Sequence, residues 1–333
     1  MYDKRNEIGG NIMTYEEKLQ QYKDWIFRRS AYQMALAIIG IDKQTVAPSA
    51  GAAYRDERSA YLAGELFSIE TDPAMVQLLK ELKDDPQIDG DNKRAVELYY
   101  KQAMDTMCIP KEEFVAYQKL RDESFDAWIK AKSQSDYSIF EPYLKKIIEV
   151  SKKMYRYRNS DKNLYDKMLD DYEPGMTQEK YDVFFAALKE RLVPLIQKVT
   201  KAKQKNEAFL HQEFPIEDQK KCMTQLLEYL RFDSAWGYQN ESEHPFTSWT
   251  CENDCRTTTK YVKNDVISAV LSTVHEVGHA YYEHNVDPKY DGMILSEGIS
   301  SGMHESQSRL CENYLARTTA FWTYHYPKLQ ETF

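Results

Sequence analysis

The chain has 333 residues, of which 42% are hydrophobic and 29% charged, so it is long enough for one large domain or two ordinary ones with a sizeable core. Its formal net charge of -9 and the lack of a dense Lys/Arg-rich run argue against nucleic acid as a partner. Five scattered cysteines are too few for a disulfide framework in a chain of this length, which favours a reducing, cytoplasmic location.

The N-terminal residues carry charges throughout and lack the apolar core of a signal peptide. A second methionine, Met13, precedes a well-formed helix start, so residues 1–12 are predicted to be a disordered leader. No linker or internal repeat divides the rest, which predicts a single helical domain over residues 13–333. The longest apolar run, MALAIIGI, is far too short to cross a bilayer, so no membrane partner is expected.

Helix signals dominate the first two thirds of the chain. Thr14 and Glu17 form a capping box for a long helix through Ala37. Asp72 as N-cap and Pro73 at the first helical position begin another helix. Further helical patterns are present near 54–68, 73–84, 91–107, 110–132, 138–157, 178–203 and 215–231.

The pattern changes between residues 232 and 262, where aromatic, threonine and turn residues predict two or three short strands. Helix returns after Asp265, a good N-cap. One face of this helix is apolar and is expected to pack into the core. That stripe consists of Val266, Ile267, Val270, Val274 and Val277. A final helix is predicted from Ser296 toward Trp322.

The same helix carries the segment HEVGH, in which His275 and His279 are four residues apart. Side chains at this spacing share one helix face, with Cβ atoms about 5–6 Å apart, so both rings can bind one cation at about 2.0–2.1 Å. Glu276 projects about a third of a turn away, where it can act as a general base. The plain alternative is a chance pair of surface histidines. The apolar stripe beside the motif and a possible third ligand downstream argue against it.

A catalytic zinc site uses three protein ligands and leaves a fourth position open. The third ligand must therefore be another nitrogen or oxygen donor, and a second helix packed against the first would supply it. His284 is nearer in sequence but lies beyond the turn that carries the pair. Spacing alone does not choose among the downstream candidates, which are Glu297, His304, Glu305 and Glu312.

These residues resemble the M32 metallocarboxypeptidases, also called the carboxypeptidase Taq family. The glutamate of HESQSR follows the second histidine of HEVGH by 26 residues, as in that family. Further similarities run along most of the chain. They are IDKQTVAPSAGAAYR, YDKMLDDYEPGMT, HPFT at 244–247 and DCRTT at 254–258, which fits a D-x-R-x-T element.

The resemblance implies that His275, His279 and Glu305 bind zinc, with cobalt or manganese as possible substitutes, and that Glu276 is the general base. It also implies that His244 contributes near the substrate carbonyl, although a histidine satisfied by the backbone at a strand end is an equal alternative. The implied fold is mainly α, a large helical body with a deep groove and a small β-sheet beside the metal. The implied partners are peptide substrates and a second copy of the chain in a homodimer.

Arg256 belongs to the D-x-R-x-T element together with Asp254 and Thr258. This element either shapes the substrate site or braces the small sheet, and the bracing role is slightly favoured. The sequence departs from the family at two positions usually held by tryptophan, where it has Ile41 and Cys311, and in TSWTCEND, which replaces a glycine-rich run. These changes affect packing more than the metal.

Relatives in the resembled family continue past the position of Phe333 and carry the motifs I-R-x-x-A-D and G-x-x-Q-D-x-H-W, which are not in this sequence. The helical metallopeptidase domain is therefore expected to be incomplete at its C-terminus. An arginine suits recognition of a free carboxylate, and in the family it lies in the first of these motifs. We expect this chain alone to bind metal, to release C-terminal amino acids poorly or not at all, and to expose apolar helix faces.

The predicted function is that of a zinc-dependent metallocarboxypeptidase, which removes C-terminal amino acids from peptides with broad specificity. An oligoendopeptidase on the same scaffold is the first alternative, because it would share every metal residue. The second alternative is a non-catalytic, truncated metal-binding module. A metal analysis combined with a peptide-release assay separates these possibilities.

Overall fold

The computed structural model describes residues 13–158 and 163–333. The predicted leader, residues 1–12, lies outside the described residues. Within them the chain is mainly α-helical, as predicted, with one small sheet. The helices are α1 (Tyr15–Thr45), α2 (Ala52–Glu70), α3 (Pro73–Asp84), α4 (Gly90–Thr106), α5 (Lys111–Gln134), α6 (Glu141–Tyr157), α7 (Leu164–Tyr172), α8 (Gln178–Lys201), α9 (Ile216–Tyr229), α10 (Val266–His284), α11 (Ser301–Arg309) and α12 (Thr319–Thr332). The strands are β1 (Gly237–Glu241), β2 (Thr247–Cys251) and β3 (Asp254–Thr259).

Local capping signals explain where several helices begin. The Thr14 N–H donates to the Glu17 carboxylate at 2.8 Å, and the Glu17 N–H donates to the Thr14 hydroxyl at 3.2 Å, which confirms the capping box. Asp72 accepts from the backbone of α3, as predicted. The end of α1 was predicted too early. The helix continues to Thr45, and Ile41 near its end is buried.

Two helix predictions were wrong. The nine-residue helix α7 was not predicted at all, because a helix this short has a weak periodic signal. The single helix predicted from Ser296 toward Trp322 is instead α11, a π-helical segment at Leu310–Ala316, and α12. Ser300 and Thr318 are N-caps whose side chains accept from the first turns of α11 and α12, so each starts a new helix.

The three strands form one sheet in the order β1-β3-β2, which confirms the predicted small sheet. β3 pairs in parallel with β1 and antiparallel with β2. Alternate side chains of β3 face α10. The Cys255 thiol lies 3.7 Å from the Ala280 carbonyl oxygen, and the Thr259 hydroxyl lies 3.5 Å from the Ala269 carbonyl oxygen. The sheet therefore supports α10 along most of its length.

The predicted apolar stripe of α10 is buried except at Ile267, which is partly buried, and Val274 and Val277 are 0% and 1% exposed. These side chains belong to hydrophobic clusters formed with α9, the sheet and the segment after α11. Burial of a valine side chain stabilises a fold by about 1.5–3 kcal/mol, so the stripe anchors α10 firmly. The rigid helix gives the HEVGH segment a fixed orientation.

In contrast, α8 has no buried residue. Its exposed apolar side chains are Val183, Phe184, Phe185, Leu188, Leu192, Val193, Leu195, Ile196 and Val199. Exposed apolar helix faces of this kind were expected from the sequence. Across the two described ranges, no helix combines the length and the apolar character that a membrane crossing would need.

Candidate metal centre

Helix α10 presents His275 and His279 on one face, one turn apart. Their ring centroids are 4.9 Å apart and the ring planes are inclined by 79°. Both side chains are partly exposed, at 16%. The two imidazole Nε2 atoms can therefore approach one ion from different directions, as the four-residue spacing predicts.

Glu305 of α11 brings a third donor to the same point. Its Oε2 atom lies 3.5 Å from the Nε2 atom of each histidine. The donor atoms of these three residues all lie within 4.8 Å of one another. The other carboxylate oxygen, Oε1, accepts from Arg309 at 2.7 Å, which turns Oε2 toward the histidines. The tertiary structure thus selects Glu305 among the four candidates that spacing left open.

Close packing of α11 on α10 makes this arrangement possible. A Cβ atom at Gly278 would lie 2.8 Å from the Ser308 Cα and 3.0 Å from the Gln307 carbonyl oxygen. Such distances are too short for any side chain. Only glycine at this position lets the backbone of α11 approach closely enough for Glu305 to reach the histidines.

The other candidate ligands proposed from the sequence do not converge with these three donors. Glu312 contacts His275 from behind, with its Oε2 atom 2.9 Å from Nδ1, and its charge is balanced by two arginines. His304 lies behind His279. Glu297 is outside the group of converging donors. His284 stacks on Trp236 at 3.8 Å and is likewise outside that group.

The chemistry of the three converging residues fits a divalent metal. The Nδ1 atom of each histidine has a partner away from the site, which leaves Nε2 for the ion. Burial, reinforced by the charges of His304 and His275, lowers the pKa of His279 to about 4, so its ring is neutral, as a ligand must be. Burial alone would raise the pKa of Glu305, but Arg309 and His275 outweigh it and lower the pKa. Two imidazoles and one carboxylate form the donor set of catalytic zinc sites.

Glu276 does not belong to the donor set. Its side chain is 6% exposed, and its Oε2 atom accepts a hydrogen bond from the Thr247 hydroxyl at 2.6 Å. Burial raises the pKa of Glu276, while the hydrogen bond from Thr247 and the charges of His275 and His244 lower it, and burial prevails. A carboxylate with a raised pKa accepts a proton more readily, which suits a general base.

His244 and Arg256, the two candidates for substrate contact, differ in their surroundings. His244 is exposed on the connection between β1 and β2, and its Nδ1 atom lies 2.7 Å from the Pro245 carbonyl oxygen. Arg256 forms two hydrogen bonds with Asp254, at 2.7 and 2.8 Å. Because this pair engages the guanidinium within β3, the geometry favours the bracing role for Arg256.

Sequence reasoning named Glu312 only as an alternative ligand and did not indicate Thr247, so it missed the supporting roles of both beside the candidate ligands. Thr247 orients Glu276, and Glu312 supports His275. One signal was available for Glu312, because it follows Glu305 by seven residues and two helical turns bring such residues to similar faces. Nothing in the spacing indicates Thr247, because its contact with Glu276 joins a strand to a helix.

The fold and the donor set together define a class of protein, the metallopeptidases built on a mostly helical scaffold with an H-E-x-x-H segment. The sequence matches the family described as "Carboxypeptidase Taq (M32) metallopeptidase" over residues 21–333. The chain belongs to this family. The resemblance inferred from the motifs is confirmed.

Individual relatives agree with this assignment. The chain is 38% identical to Carboxypeptidase 1 of Bacillus subtilis (strain 168), over 96% of this chain and 64% of the relative. It is 30% identical to Thermostable carboxypeptidase 1 of Thermus thermophilus, over 92% of this chain and 63% of the relative. The crystal structure of the M32 carboxypeptidase from Deinococcus radiodurans R1 superimposes with a TM-score of 0.85 at 30% identity, covering 95% of this chain and 64% of that one. The chain thus spans just under two thirds of the length of these relatives.

Proposed function

We propose that this chain carries the metal centre of a zinc-dependent metallocarboxypeptidase, which removes amino acids from the C-termini of peptides with broad specificity. The observation that carries the proposal is the convergence of His275, His279 and Glu305, with Glu276 beside them. The names of the relatives, all carboxypeptidases, favour this activity over an endopeptidase. Co²⁺ or Mn²⁺ would suit the same donors, so zinc itself is part of the proposal.

When bound, the ion would polarise the scissile carbonyl and acidify the attacking water. Glu276 accepts the proton of that water and passes it to the leaving amine nitrogen. The Thr247 hydroxyl holds one oxygen of Glu276 at 2.6 Å, so the carboxylate keeps one orientation through both proton transfers. Burial of Glu276 limits competing water around it. His244 is proposed to contact the substrate, and Arg256 to brace β3 through its hydrogen bonds with Asp254.

A metal analysis tests the ligand assignment directly. After removal of chelators and incubation with Zn²⁺, we expect the chain to hold close to one equivalent of metal. His279→Ala and Glu305→Ala should each lose most of it. His284→Ala is the matched control, because His284 lies on the same helix but outside the donor set, and it should keep the metal. Unchanged metal content in either ligand variant would show that the site is wrongly assigned.

The general-base role is tested by incubating metal-loaded protein with peptides that have free or amidated C-termini and following amino-acid release by mass. Release by this chain alone is expected to be poor or absent, and to be confined to the free peptides. In an enzyme with intact activity, Glu276→Gln should keep the metal and lower the rate about 100- to 10,000-fold, the usual contribution of a positioned base. A rate close to that of the unaltered chain would remove Glu276 from the mechanism. Internal cleavage of amidated peptides would instead favour an oligoendopeptidase.

The proposal also covers the oligomeric state, the substrate class and the location of the protein. A homodimer is proposed from the family resemblance, and size-exclusion chromatography with light scattering measures it. Peptides are the proposed substrates. A cytoplasmic location is proposed because the five cysteines, all within the described residues, are free thiols, which suits a reducing compartment.

A further inference from the structure

The side chains of His304 and Glu283 form a row of polar contacts with His279, on the side of its ring away from Glu305. The Nδ1 atom of His279 lies 2.6 Å from the Nδ1 atom of His304. The Nε2 atom of His304 lies 2.7 Å from Oε1 of Glu283, which is only 2% exposed. The order from the protein interior to the metal site is therefore Glu283, His304, His279. His275, by contrast, contacts the Glu312 carboxylate directly.

Hydrogen-bond donors and acceptors in this row determine one another. A carboxylate only accepts, so Glu283 requires the N–H of His304 to be on Nε2. When His304 carries a single proton, on Nε2, its Nδ1 atom has a lone pair, which accepts the Nδ1–H of His279. This leaves the lone pair of His279 on Nε2, the atom that faces Glu305. The row thus selects the tautomer of His279 that can bind a metal.

The surroundings of His304 keep its ring in place. The indole of Trp249 lies over one side with ring centroids 5.3 Å apart, and the ring of Tyr282 meets it edge-on at 5.0 Å. Gly298 lies close to another edge of the ring, since a Cβ there would lie 2.8 Å from Cδ2 of His304. The His304 side chain is only 16% exposed, and these contacts oppose a turn of the ring that would present its other nitrogen to His279.

We infer that His304 and Glu283 are positioning residues, which hold His279 in the orientation and tautomer that a metal ligand needs. This inference rests on the proposed metal centre. The physical reason is general: a partner behind a ligating histidine fixes the ring and raises its basicity, and loss of such a partner weakens metal binding about 10- to 100-fold. The row differs from the usual arrangement because a second histidine, His304, separates the buried carboxylate from the ligand.

Two variants of His304 test the inference in the full 333-residue chain. His304→Leu removes the acceptor, and we expect its Zn²⁺ affinity, measured by competition with a chromophoric chelator, to fall about 10- to 100-fold. The visible spectrum of the Co²⁺-loaded protein should change with it. His304→Asn places an amide oxygen near the former Nδ1 position and should recover most of the affinity and the spectrum. His284→Ala is the matched control and should behave as the unaltered chain.

The contribution of Glu283 is tested by a double-mutant cycle. Glu283→Gln should weaken Zn²⁺ binding in the unaltered chain, up to about tenfold, and should have no further effect when combined with His304→Leu. Additive effects would show that Glu283 acts separately from His304 and would overturn its place in the row.

The outcomes separate this inference from the proposed function. If the unaltered chain binds no Zn²⁺, both are overturned. If it binds Zn²⁺ and His304→Leu binds it equally well with the same Co²⁺ spectrum, only the positioning role is overturned. Equal losses of affinity in His304→Leu and His304→Asn, with equal losses of metal-free thermal stability, would show a purely structural role and also overturn it.

Discussion

Replacing Gly278 by alanine is expected to separate the two helices that carry the proposed metal ligands. Gly278 lies within HEVGH, where α10 meets α11. In an uncrowded helix this change would stabilise the protein by about 1 kcal/mol, because alanine has the higher helix propensity. Here the added methyl group would lie 2.8 Å from the Ser308 Cα, which belongs to the backbone and cannot rotate away.

The size of the effect follows from these distances. An ordinary contact begins at 3.4 Å, so α11 must move by at least about 0.6 Å near Ser308, three residues from Glu305. Metal–ligand distances tolerate only about ±0.2 Å, so a movement of this size displaces the carboxylate from bonding distance. Overpacking costs about 1–3 kcal/mol, which exceeds the propensity gain. We expect Gly278→Ala to be both less stable and weaker in metal binding.

Urea unfolding followed by circular dichroism, with and without Zn²⁺, measures both effects. The matched control is Gly40→Ala in α1, where a Cβ would meet nothing within 4 Å. This control should raise the free energy of unfolding by about 0.5–1 kcal/mol and leave Zn²⁺ affinity unchanged. The reasoning would be refuted if Gly278→Ala were stabilised like Gly40→Ala and bound Zn²⁺ with unchanged affinity.

Two further predictions concern stability away from the metal. Arg29→Met should lower the free energy of unfolding by about 3–5 kcal/mol in urea, because Arg29 is 2% exposed and its loss leaves Glu70, which is 15% exposed, without the partner now 2.7 Å away. Adding Glu70→Leu should recover much of this loss, and a double variant as unstable as the single one would contradict the explanation. Burial, with a smaller effect of Lys328, lowers the pKa of His325 from 6.5 to about 4. The unfolded chain therefore binds a proton below pH 6.5 that the folded chain binds only near pH 4, and stability falls as pH drops through this window. His325→Phe should reduce the drop in melting temperature between pH 7 and pH 5, and an unchanged drop would refute this role.

Much of the local structure was predictable because its causes are local. The capping box at Thr14 and the N-caps at Asp72 and Asp265 depend on residues within one turn of each helix start. The spacing of His275 and His279 depends only on helical periodicity. Predictions failed where the signal was short or hidden, as for α7 and for the break before Thr318.

The sequence by itself therefore determined the helical class, the small sheet, the family and the two histidines of the candidate site. Only the tertiary structure chose Glu305 over the other acidic and histidine candidates, because that choice depends on how closely α11 packs on α10 at Gly278. The position of His304 between His279 and the buried Glu283 is likewise known only from the tertiary structure. Contacts between elements depend on the depth and angle of helix packing, and neither quantity leaves a periodic signal in one sequence.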